Sequence, residues 1–326
     1  MTDTSKEKIN AILEHCQKGC PREIDIRFDE PMRNHTTFKV GGPVDCWIRP
    51  FGDGLADFCA ALLNKAGAEM VPVFVLGGGA NIVVADRGIR GIVLDMNAWS
   101  GKSAVSLKAD ENELVFKSGT SIDEASRSAA ASCLTGLEFM AGLPGTIGGA
   151  VYMNARCYEK EAADALSWVE FIGEEHGDGS GYSVKRMEIQ KKEFGYKLSP
   201  FQNTRCLISR AAFKLEKGDK GDILNEMEKN RRDREKKGHY LFPCAGSAFK
   251  NNRDFGKPTG RIIDELGLKG LSIGGAQVAP FHGNIVINKG GATAREIRAL
   301  IQEVAERVKK ETGFTLEPEI LFVGEW

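Results

Sequence analysis

Ser247 lies in the segment PCAGSAFKNN, residues 243–252, with Cys244 three positions before it and Lys250 three positions after it. Its hydroxyl could serve as a nucleophile, a phosphate ligand or a proton donor, or it could be an ordinary turn residue. The surrounding AGSAF does not match the GxSxG turn that exposes the nucleophile of α/β-hydrolases. The segment alone leaves the other roles open, so the rest of the chain has to decide among them.

Two glycine-rich loops could hold a phosphate-bearing ligand. VLGGGANIVV, residues 75–84, follows an apolar strand, and GLPGTIGGAVYMNA, residues 142–155, repeats the glycine clustering. The first loop lacks the GK[ST] of a P-loop, and β-branched residues follow it where a Rossmann motif requires a helix. Glycine amides can still form an anion-binding nest. The two loops therefore suit a long diphosphate cofactor lying between them, with tight turns as the alternative.

Composition excludes several other kinds of function. The chain has 326 residues, and its 44 Lys and Arg nearly balance 45 Asp and Glu, which disfavours nucleic acid or a membrane surface as the main partner. No apolar run approaches the roughly 18–20 residues that span a bilayer, and the polar N-terminus has no signal-peptide core. We expect a cytoplasmic protein. The eight cysteines contain no CxxC pair, so we expect mainly small core residues and no metal site.

The pattern of apolar residues predicts three lobes, residues 1–98, 99–215 and 216–326. The first begins with an amphipathic helix over 1–20, and later holds a helix over 54–67 that Gly67 is expected to end. The second opens with a hairpin and a helix capped by Ser121 and Glu124. The segment GDILNEMEKNRRDREKK, near the start of the third, alternates acids and bases and indicates a solvated helix.

The third lobe carries a further capped helix and a final strand. Thr293 and Glu296 open the helix, and its apolar positions 297, 300, 301, 304 and 308 form one buried stripe. The strand is expected over TLEPEILFVG, where Glu317 and Glu319 would share a face if the chain is extended.

Six motifs stand in the order found in the UDP-N-acetylenolpyruvoylglucosamine reductase family, and the chain resembles that family from about residue 27 to 324. They are VLGGGANIVV, GLEFMAGLPGTIGGAVYMNA, FGYK followed by SPF, PCAGSAFKNN, GLKGLSIGGAQVAPFHGNIVIN and LEPEILFVG. The resemblance implies an α+β fold, with a two-lobed FAD-binding unit of the vanillyl-alcohol-oxidase type and a C-terminal α+β substrate-binding lobe. It also implies the shorter family form, without an added tyrosine-bearing loop.

The resemblance further implies non-covalent FAD, NADPH as the reductant, and UDP-N-acetylglucosamine enolpyruvate as the substrate of a monomeric enzyme. The residues it assigns to the cofactor are Gly77, Gly78, Gly79, Ala80, Asn81, Gly142, Pro144, Gly145, Gly148, Gly149 and Asn154. The residues it assigns to the nucleotide sugar are Tyr196, Lys250, Asn251 and His282.

The reaction implied is reduction of a carbon–carbon double bond, which needs hydride at one carbon and a proton at the other. By the resemblance, Ser247 is the proton donor and Glu319 is the catalytic acid that helps to hold the enol. The chain departs from the family at Lys197, since FGYKLS has lysine where arginine is usual. Lysine offers a compact charge in place of a planar fork, yet Lys197 could still stabilise the developing charge.

A second departure is NARCYEKE, residues 154–161, where the family more often has the glycine-richer NAGAYG. Arg156 is either a source of positive charge near the predicted flavin loop or a solvated loop residue. Two other functions stay open at this point. One is an FAD-dependent oxidase of a small alcohol or sugar, with His35 as a candidate covalent flavin ligand; the other is a non-catalytic flavin or nucleotide-sugar binding protein.

Overall fold

The computed structural model describes residues 3–20, 23–52, 54–108, 111–177 and 181–326. Its helices are α1 (Asp3–Gly19), α2 (Leu55–Ala68), α3 (Ile122–Ala131), α4 (Ile147–Tyr152), α5 (Lys220–Lys236), α6 (Thr259–Glu265) and α7 (Ala294–Thr312). Its strands are β1 (Ile24–Pro31), β2 (Pro43–Pro50), β3 (Val73–Leu76), β4 (Ile82–Val84), β5 (Ile89–Asp95), β6 (Lys102–Lys108), β7 (Glu111–Lys117), β8 (Leu134–Thr135), β9 (Arg156–Cys157), β10 (Lys160–Glu161), β11 (Leu166–Gly173), β12 (Ser183–Glu188), β13 (Cys206–Lys214), β14 (Glu216–Lys217), β15 (Cys244–Ser247), β16 (Ser272–Ile273), β17 (Ala276–Val278), β18 (Ile285–Asn288) and β19 (Leu321–Val323).

The chain divides into two units. The first comprises residues 1–28, 45–78 and 91–231, and the second comprises residues 29–44, 79–90 and 232–326. The three predicted lobes, with their boundaries near residues 98 and 215, stay a prediction.

The first unit is built on two sheets with separate cores. One sheet has the order β1-β2-β5-β3 and the other has the order β12-β11-β13-β7-β6. Apolar faces of α1 and α2 form one core with residues such as Ile12, Leu62 and Leu94. The second core joins α3 and α4 to the five-stranded sheet, as Ile147 and Phe213 illustrate.

The second unit packs α6 and α7 on the sheet β15-β18-β17-β16. Thr293 and Glu296 form the predicted capping box at the start of α7, and the helix ends at Gly313, whose φ is 79°. The predicted stripe is confirmed, because Ile297, Leu300, Ile301, Val304 and Val308 are all buried.

Helix α5 also has the predicted solvated character. Most of its side chains are exposed, and the buried ones are Ile223, Met227, Asn230 and Arg234 at helical spacing. The narrow stripe leaves the interleaved acids and bases in water, so the surface-helix interpretation is confirmed.

Two local predictions are wrong. Gly67 does not end α2, because the helix continues to Ala68 and the chain turns away at Met70, whose φ is 56°. The last strand covers only β19, so the preceding Glu-Pro-Glu lies outside it. There the side chain of Glu317 is 69% exposed, whereas Glu319 is buried, and the two glutamates therefore do not share a surface.

Candidate active site

The two glycine loops approach each other inside the first unit. A Cβ atom on Gly78 would lie 2.6 Å from the Cα of Gly145, so a side chain at either position would separate the two backbones. A Cβ atom on Gly77 would lie 2.6 Å from the Thr146 hydroxyl. Among the described residues that buried hydroxyl has no hydrogen-bond partner. Because buried polar atoms are nearly always paired, the Thr146 hydroxyl is a group that a bound ligand could engage.

The two loops differ in what their amides do. Gly142 donates its amide to Asp123 at 2.9 Å, and Gly148 donates to the carbonyl of Ser118 at 2.8 Å. By contrast, no acceptor in the described part of the chain receives a hydrogen bond from the amides of residues 77–81. The first loop therefore has donors available for an anion, whereas these two amides of the second loop support the fold. Pro144 is exposed beside Gly145, and Gly149 is half-buried.

The end of the first loop belongs to the second unit. The side chain of Asn81 donates to the carbonyl of Glu319 at 3.1 Å, and its own carbonyl accepts from Leu321 at 3.0 Å. The carbonyl of Gly79 accepts from the amide of Thr37 at 3.1 Å, and Ala80 follows it. Asn81 thus fixes the segment that carries Glu319, a role that its position beside glycines did not suggest.

Tyr196 and Lys197 form the tip of a tight turn in the first unit. Gly195 and Leu198 close this turn with reciprocal backbone hydrogen bonds of 3.1 Å. Lys197 has φ 60°, a left-handed conformation that is uncommon for a lysine and costs of the order of 1 kcal/mol. Its carbonyl accepts from the side chain of Gln202 at 3.0 Å. The fold therefore holds the tip in a conformation that the lysine would not choose by itself.

Asn154 connects that turn to the preceding hairpin. Its Nδ2 donates to the carbonyl of Gly195 at 2.8 Å, and its Oδ1 accepts from the amide of Ala163 at 3.1 Å. The residue is fully buried. Its amide group therefore holds the turn of Tyr196 and Lys197 in place, and its contact with the cofactor stays a prediction.

Ser247 ends β15 at a bulge in the second unit. Cys244 pairs with Ile287 and Ser247 pairs with Ile285, so the β15 strand has one residue more than β18 over this interval. Gly246 takes the left-handed conformation within the bulge, with φ 72°. A bulge redirects the side chain that follows it, and such bulges are common beside active sites. Ser247 is half-buried at this position.

A short backbone ladder holds the Glu319 segment against the residues that follow Ser247. Glu319 donates its amide to the carbonyl of Ala248 at 2.9 Å, and Lys250 donates its amide to the carbonyl of Glu317 at 2.9 Å. Phe249 and Pro318 form the bridge between these bonds. The structure therefore brings together the two predicted catalytic segments of the second unit, although they lie far apart in the sequence.

Asn284 supports this ladder from the other side. Its Oδ1 accepts from the amide of Phe249 at 3.0 Å, and its Nδ2 donates to the carbonyl of Phe249 at 2.8 Å. Asn284 is 3% exposed. Sequence reasoning missed this residue and Thr146, since neither an asparagine before a strand nor a threonine between glycines distinguishes a structural role from a ligand role.

Lys250 and Asn251 lie just after the serine. The ammonium group of Lys250 forms an ion pair with Glu317 at 2.5 Å. The Oδ1 of Asn251 accepts from the amide of Thr259 at 2.9 Å. Of these two residues, Lys250 is the one whose charge a phosphate could recruit, since its partner Glu317 is exposed.

His282 is neutral at neutral pH. Burial, aided by the nearby charge of Lys237, lowers the pKa of its imidazole. Its Nδ1 accepts from the amide of Asn284 at 3.1 Å, which assigns the proton to Nε2. His239 lies beside it, with ring centroids 6.0 Å apart. His282 can therefore donate a hydrogen bond to a nucleotide, but it brings no positive charge.

Two family models match the chain. One, described as an FAD binding domain, covers residues 56–178, and the other, described as the C-terminal domain of UDP-N-acetylenolpyruvoylglucosamine reductase, covers residues 237–323. The UDP-N-acetylenolpyruvoylglucosamine reductase of Treponema denticola is 38% identical over 316 residues, covering 94% of this chain and 95% of the relative. That of Borreliella burgdorferi is 40% identical over 293 residues, covering 90% and 93%. This chain belongs to the UDP-N-acetylenolpyruvoylglucosamine reductase family.

The structural comparison agrees with this assignment. The crystal structure of the reductase from Thermus caldophilus has a TM-score of 0.70 and 30% identity, and the match covers 92% of this chain and 99% of that one. The predicted α+β fold is confirmed, with an FAD-binding domain followed by a C-terminal reductase domain. None of these reductase relatives favours the oxidase or the binding protein. His35, the candidate flavin ligand of the oxidase, lies 2.8 Å from Glu30 through its Nε2.

FAD is the cofactor of the reductase family, and the first unit fits it. The orphaned Thr146 hydroxyl and the unused amides of Gly77 and Gly78 are donors of the kind that bind a diphosphate.

In the described ranges we find no group of three or more His, Cys, Asp or Glu side chains that could hold a metal ion. No helix within those ranges is long and apolar enough to cross a membrane.

Proposed function

We propose that this chain reduces the enolpyruvyl double bond of UDP-N-acetylglucosamine enolpyruvate, with NADPH as the reductant, and forms UDP-N-acetylmuramate. Membership of the reductase family supports the reaction. The observation that carries the assignment of the chemistry is the backbone ladder that holds Glu319 beside the residues following Ser247.

FAD held by the loop of Gly77 and Gly78 would, after reduction by NADPH, supply the hydride for one olefinic carbon. The protein must then provide a proton at the other carbon and stabilise the negative charge that develops on the carboxylate side. Proton transfer from a positioned group typically contributes a factor of about 10²–10⁴. We assign these two tasks to separate residues.

Ser247 is the proton donor in this proposal. The bulge at Gly246 fixes the direction of the serine, and Ala248, the next residue, is bonded through its amide to the carbonyl of Asn284 at 2.8 Å. The backbone that carries the hydroxyl is thus paired at Ser247 itself, with Ile285, and at the next residue, Ala248. A serine hydroxyl stays protonated at neutral pH, as an acid in this step must.

Glu319 is the second group of this half of the reaction. Its residue is buried, and its backbone is fixed by Ala248 and by the side chain of Asn81. We propose that its carboxyl group holds the enol form of the substrate while the proton is delivered. Glu317, exposed and paired with Lys250, has no catalytic role in this scheme.

Lys197 stabilises the developing negative charge, and Tyr196 contacts the substrate. The strained turn and its anchors, Asn154 and Gln202, hold both residues in place. Because strain of this kind persists where function requires it, the conformation of Lys197 supports the assignment.

The remaining predicted site residues are assigned to binding of the nucleotide sugar and of the cofactor. We propose that Lys250, Asn251 and His282 bind the nucleotide sugar, with Lys250 exchanging Glu317 for a phosphate. We propose that the cofactor contacts come from Gly77, Gly78, Gly79, Ala80, Asn81, Gly142, Pro144, Gly145, Gly148, Gly149 and Asn154. The donors available in residues 77–81 support the first five of these more directly than the others.

The product is a precursor of peptidoglycan, on whose supply cell shape and division depend. We place the reaction in the cytoplasm, because its nucleotide sugar and its NADPH are cytoplasmic metabolites. We also propose a monomer, which light scattering of the FAD-loaded protein would test.

The test of the proposed function is anaerobic mixing of the pre-reduced, FAD-loaded protein with UDP-N-acetylglucosamine enolpyruvate. We expect the flavin absorbance to recover as one equivalent of UDP-N-acetylmuramate forms. UDP-N-acetylglucosamine, which lacks the double bond, is the control. Flavin that stays reduced in the presence of bound enolpyruvyl substrate would contradict the proposal.

A further inference from the structure

Arg156 lies against the predicted substrate-binding turn. Its guanidinium carbon is 5.5 Å from the centroid of the Tyr196 ring, within the range of a cation–π interaction. Lys197 follows Tyr196 at the tip of the same turn. Arg156 thus lies against the ring of Tyr196, and Lys197 is the next residue of that turn.

The hairpin that carries Arg156 is firmly held. Strands β9 and β10 pair through Arg156 with Glu161 and Cys157 with Lys160. The two residues between them, Tyr158 and Glu159, both have positive φ values, 50° and 63°, as a type I′ turn requires. These are costly residues for that turn, which glycine and asparagine favour.

Two side chains, those of Tyr158 and Asn154, anchor this hairpin. The hydroxyl of Tyr158 donates to the carbonyl of Asn230 at 2.8 Å. Asn154, just before the hairpin, bonds both to Ala163 after it and to Gly195 before Tyr196. The same asparagine therefore fixes Arg156 and the Tyr196 turn relative to each other.

Arg156 is half-buried beside Tyr196. Within the described ranges, its guanidinium forms no hydrogen bond and no ion pair. Two acidic residues lie nearby, and neither forms a salt bridge with Arg156. Asp164 pairs with Lys191, and Glu161 is the strand partner of Arg156 in the hairpin. Although burial opposes ionisation of Asp164, the hydrogen bond from Lys191 and, more weakly, the charge of Arg156 lower the pKa of that carboxyl.

We propose that Arg156 is a specificity-determining residue that recognises the carboxylate of the enolpyruvyl substrate, in concert with Lys197 and beside Tyr196. This inference rests on the proposed function. A lysine offers one compact charge, whereas a carboxylate is best matched by the planar fork of an arginine. Arg156 supplies the fork that FGYKLS lacks, from a position where the family more often has glycine.

The test compares two ligands on the oxidised, FAD-loaded protein, in which no turnover occurs. UDP-N-acetylglucosamine enolpyruvate carries the carboxylate, and UDP-N-acetylglucosamine has the same diphosphate without it. Their dissociation constants are measured from the change in flavin absorbance for wild type, Arg156→Gln and Arg156→Lys. The matched control is Arg186→Gln, because Arg186 also stacks on a ring, 4.0 Å from that of Trp168.

We expect Arg156→Gln to weaken binding of the enolpyruvyl ligand roughly ten-fold or more, as loss of a charged hydrogen bond does, and to change binding of the other ligand less than about two-fold. Arg156→Lys should recover part of the loss, and Arg186→Gln should change neither constant. Equal weakening for both ligands, or no weakening for either, would overturn the proposal. If Arg156→Gln does not fold, Arg156→Lys must still show a loss confined to the carboxylate ligand.

The outcomes separate this inference from the proposed function. Wild-type protein that binds both ligands but does not reoxidise its flavin would contradict the function and still test Arg156 through binding. Wild-type protein that reoxidises its flavin but binds the two ligands with equal affinity would overturn the role of Arg156 and leave the function standing.

Discussion

One buried asparagine in each unit holds a candidate catalytic segment, and the two do so differently. Asn284, in the second unit, uses its side chain on both the amide and the carbonyl of Phe249. Asn154, in the first unit, forms one side-chain hydrogen bond to each of two separate segments, at Ala163 and at Gly195. Asn284 thereby holds both backbone groups of one residue, whereas Asn154 shares the Tyr196 turn with Gln202, which donates to the carbonyl of Lys197.

The difference predicts how the segment after Ser247 and the turn at Tyr196 respond to substitution of the asparagine that holds each of them. The Ser247 and Glu319 segments share backbone hydrogen bonds, so they are expected to move only with the unit as a whole. The turn at Tyr196 and Lys197 is closed by its own two bonds and carries a strained residue at its tip. Loss of its anchor should therefore alter function before it alters global stability.

The largest effect is expected at Glu319. Glu319→Gln keeps the size and removes the charge, and we expect flavin reoxidation by substrate to slow by about 10²–10⁴-fold. The matched control is Glu317→Gln, since Glu317 is two residues away and exposed. A similar loss in both variants would mean that the position of the segment, and not the carboxyl group of Glu319, is what matters.

Asn284→Ala tests how firmly the segment that follows Ser247 is held. It leaves the amide and the carbonyl of buried Phe249 without these partners, which should lower the free energy of unfolding by about 2–4 kcal/mol. Urea unfolding measures the loss. A variant with wild-type stability and reduced activity would show that this segment is held as loosely as the Tyr196 turn.

Asn154→Ala tests how firmly the turn of Tyr196 and Lys197 is held. Here we expect a smaller loss of stability, about 1–2 kcal/mol, together with a rise in the KM for the enolpyruvyl substrate of roughly ten-fold. Asn154 has φ 42°, so Asn154→Gly separates the loss of the hydrogen bonds from the backbone strain that alanine adds. An unchanged KM in both variants would contradict the role of this turn in binding the enolpyruvyl substrate.

The smallest effect is a pH dependence in the second unit. Burial, with the charges of Arg234, His282 and Lys237, lowers the pKa of His239 from 6.5 to about 4. Because the unfolded state then binds more protons, the contribution of neutral His239 is present above pH 6.5 and is lost as the pH falls towards about 4. The slope is at most about 1 kcal/mol per pH unit and less for a partly exposed ring.

Urea unfolding of wild type and His239→Gln at several pH values measures this slope. We expect the substitution to flatten the loss of stability on acidification. The exposed His15 provides a control for removing a histidine elsewhere. Equal slopes in wild type and His239→Gln would contradict the assignment to His239.

Local signals in the sequence were sufficient for the helices and for the glycine loops. The cap at Thr293 and the stripe from Ile297 to Val308 depend on neighbouring residues only, so the sequence predicts α7 correctly. The close approach of Gly78 and Gly145 likewise agrees with the clustering of glycine in two motifs.

Non-local pairing decided what the sequence could not show. Glu317 and Glu319 differ in burial because Phe249 pairs with Pro318, and no local pattern records that bridge. The unused amides of residues 77–81 are distinguished from those of Gly142 and Gly148 only by distant acceptors, Asp123 and Ser118. The anchoring roles of Asn154 and Asn284 depend on such partners too.

The most direct measurement is the single-turnover reoxidation rate of pre-reduced Ser247→Ala protein, with its affinity for UDP-N-acetylglucosamine enolpyruvate determined in parallel. If Ser247 delivers the proton, reoxidation should slow by at least about 10²-fold while the affinity stays close to that of wild type. Ser247→Cys, which keeps a protonated group, should recover part of the rate. Reoxidation of Ser247→Ala at the wild-type rate would contradict the central claim that Ser247 is the proton donor.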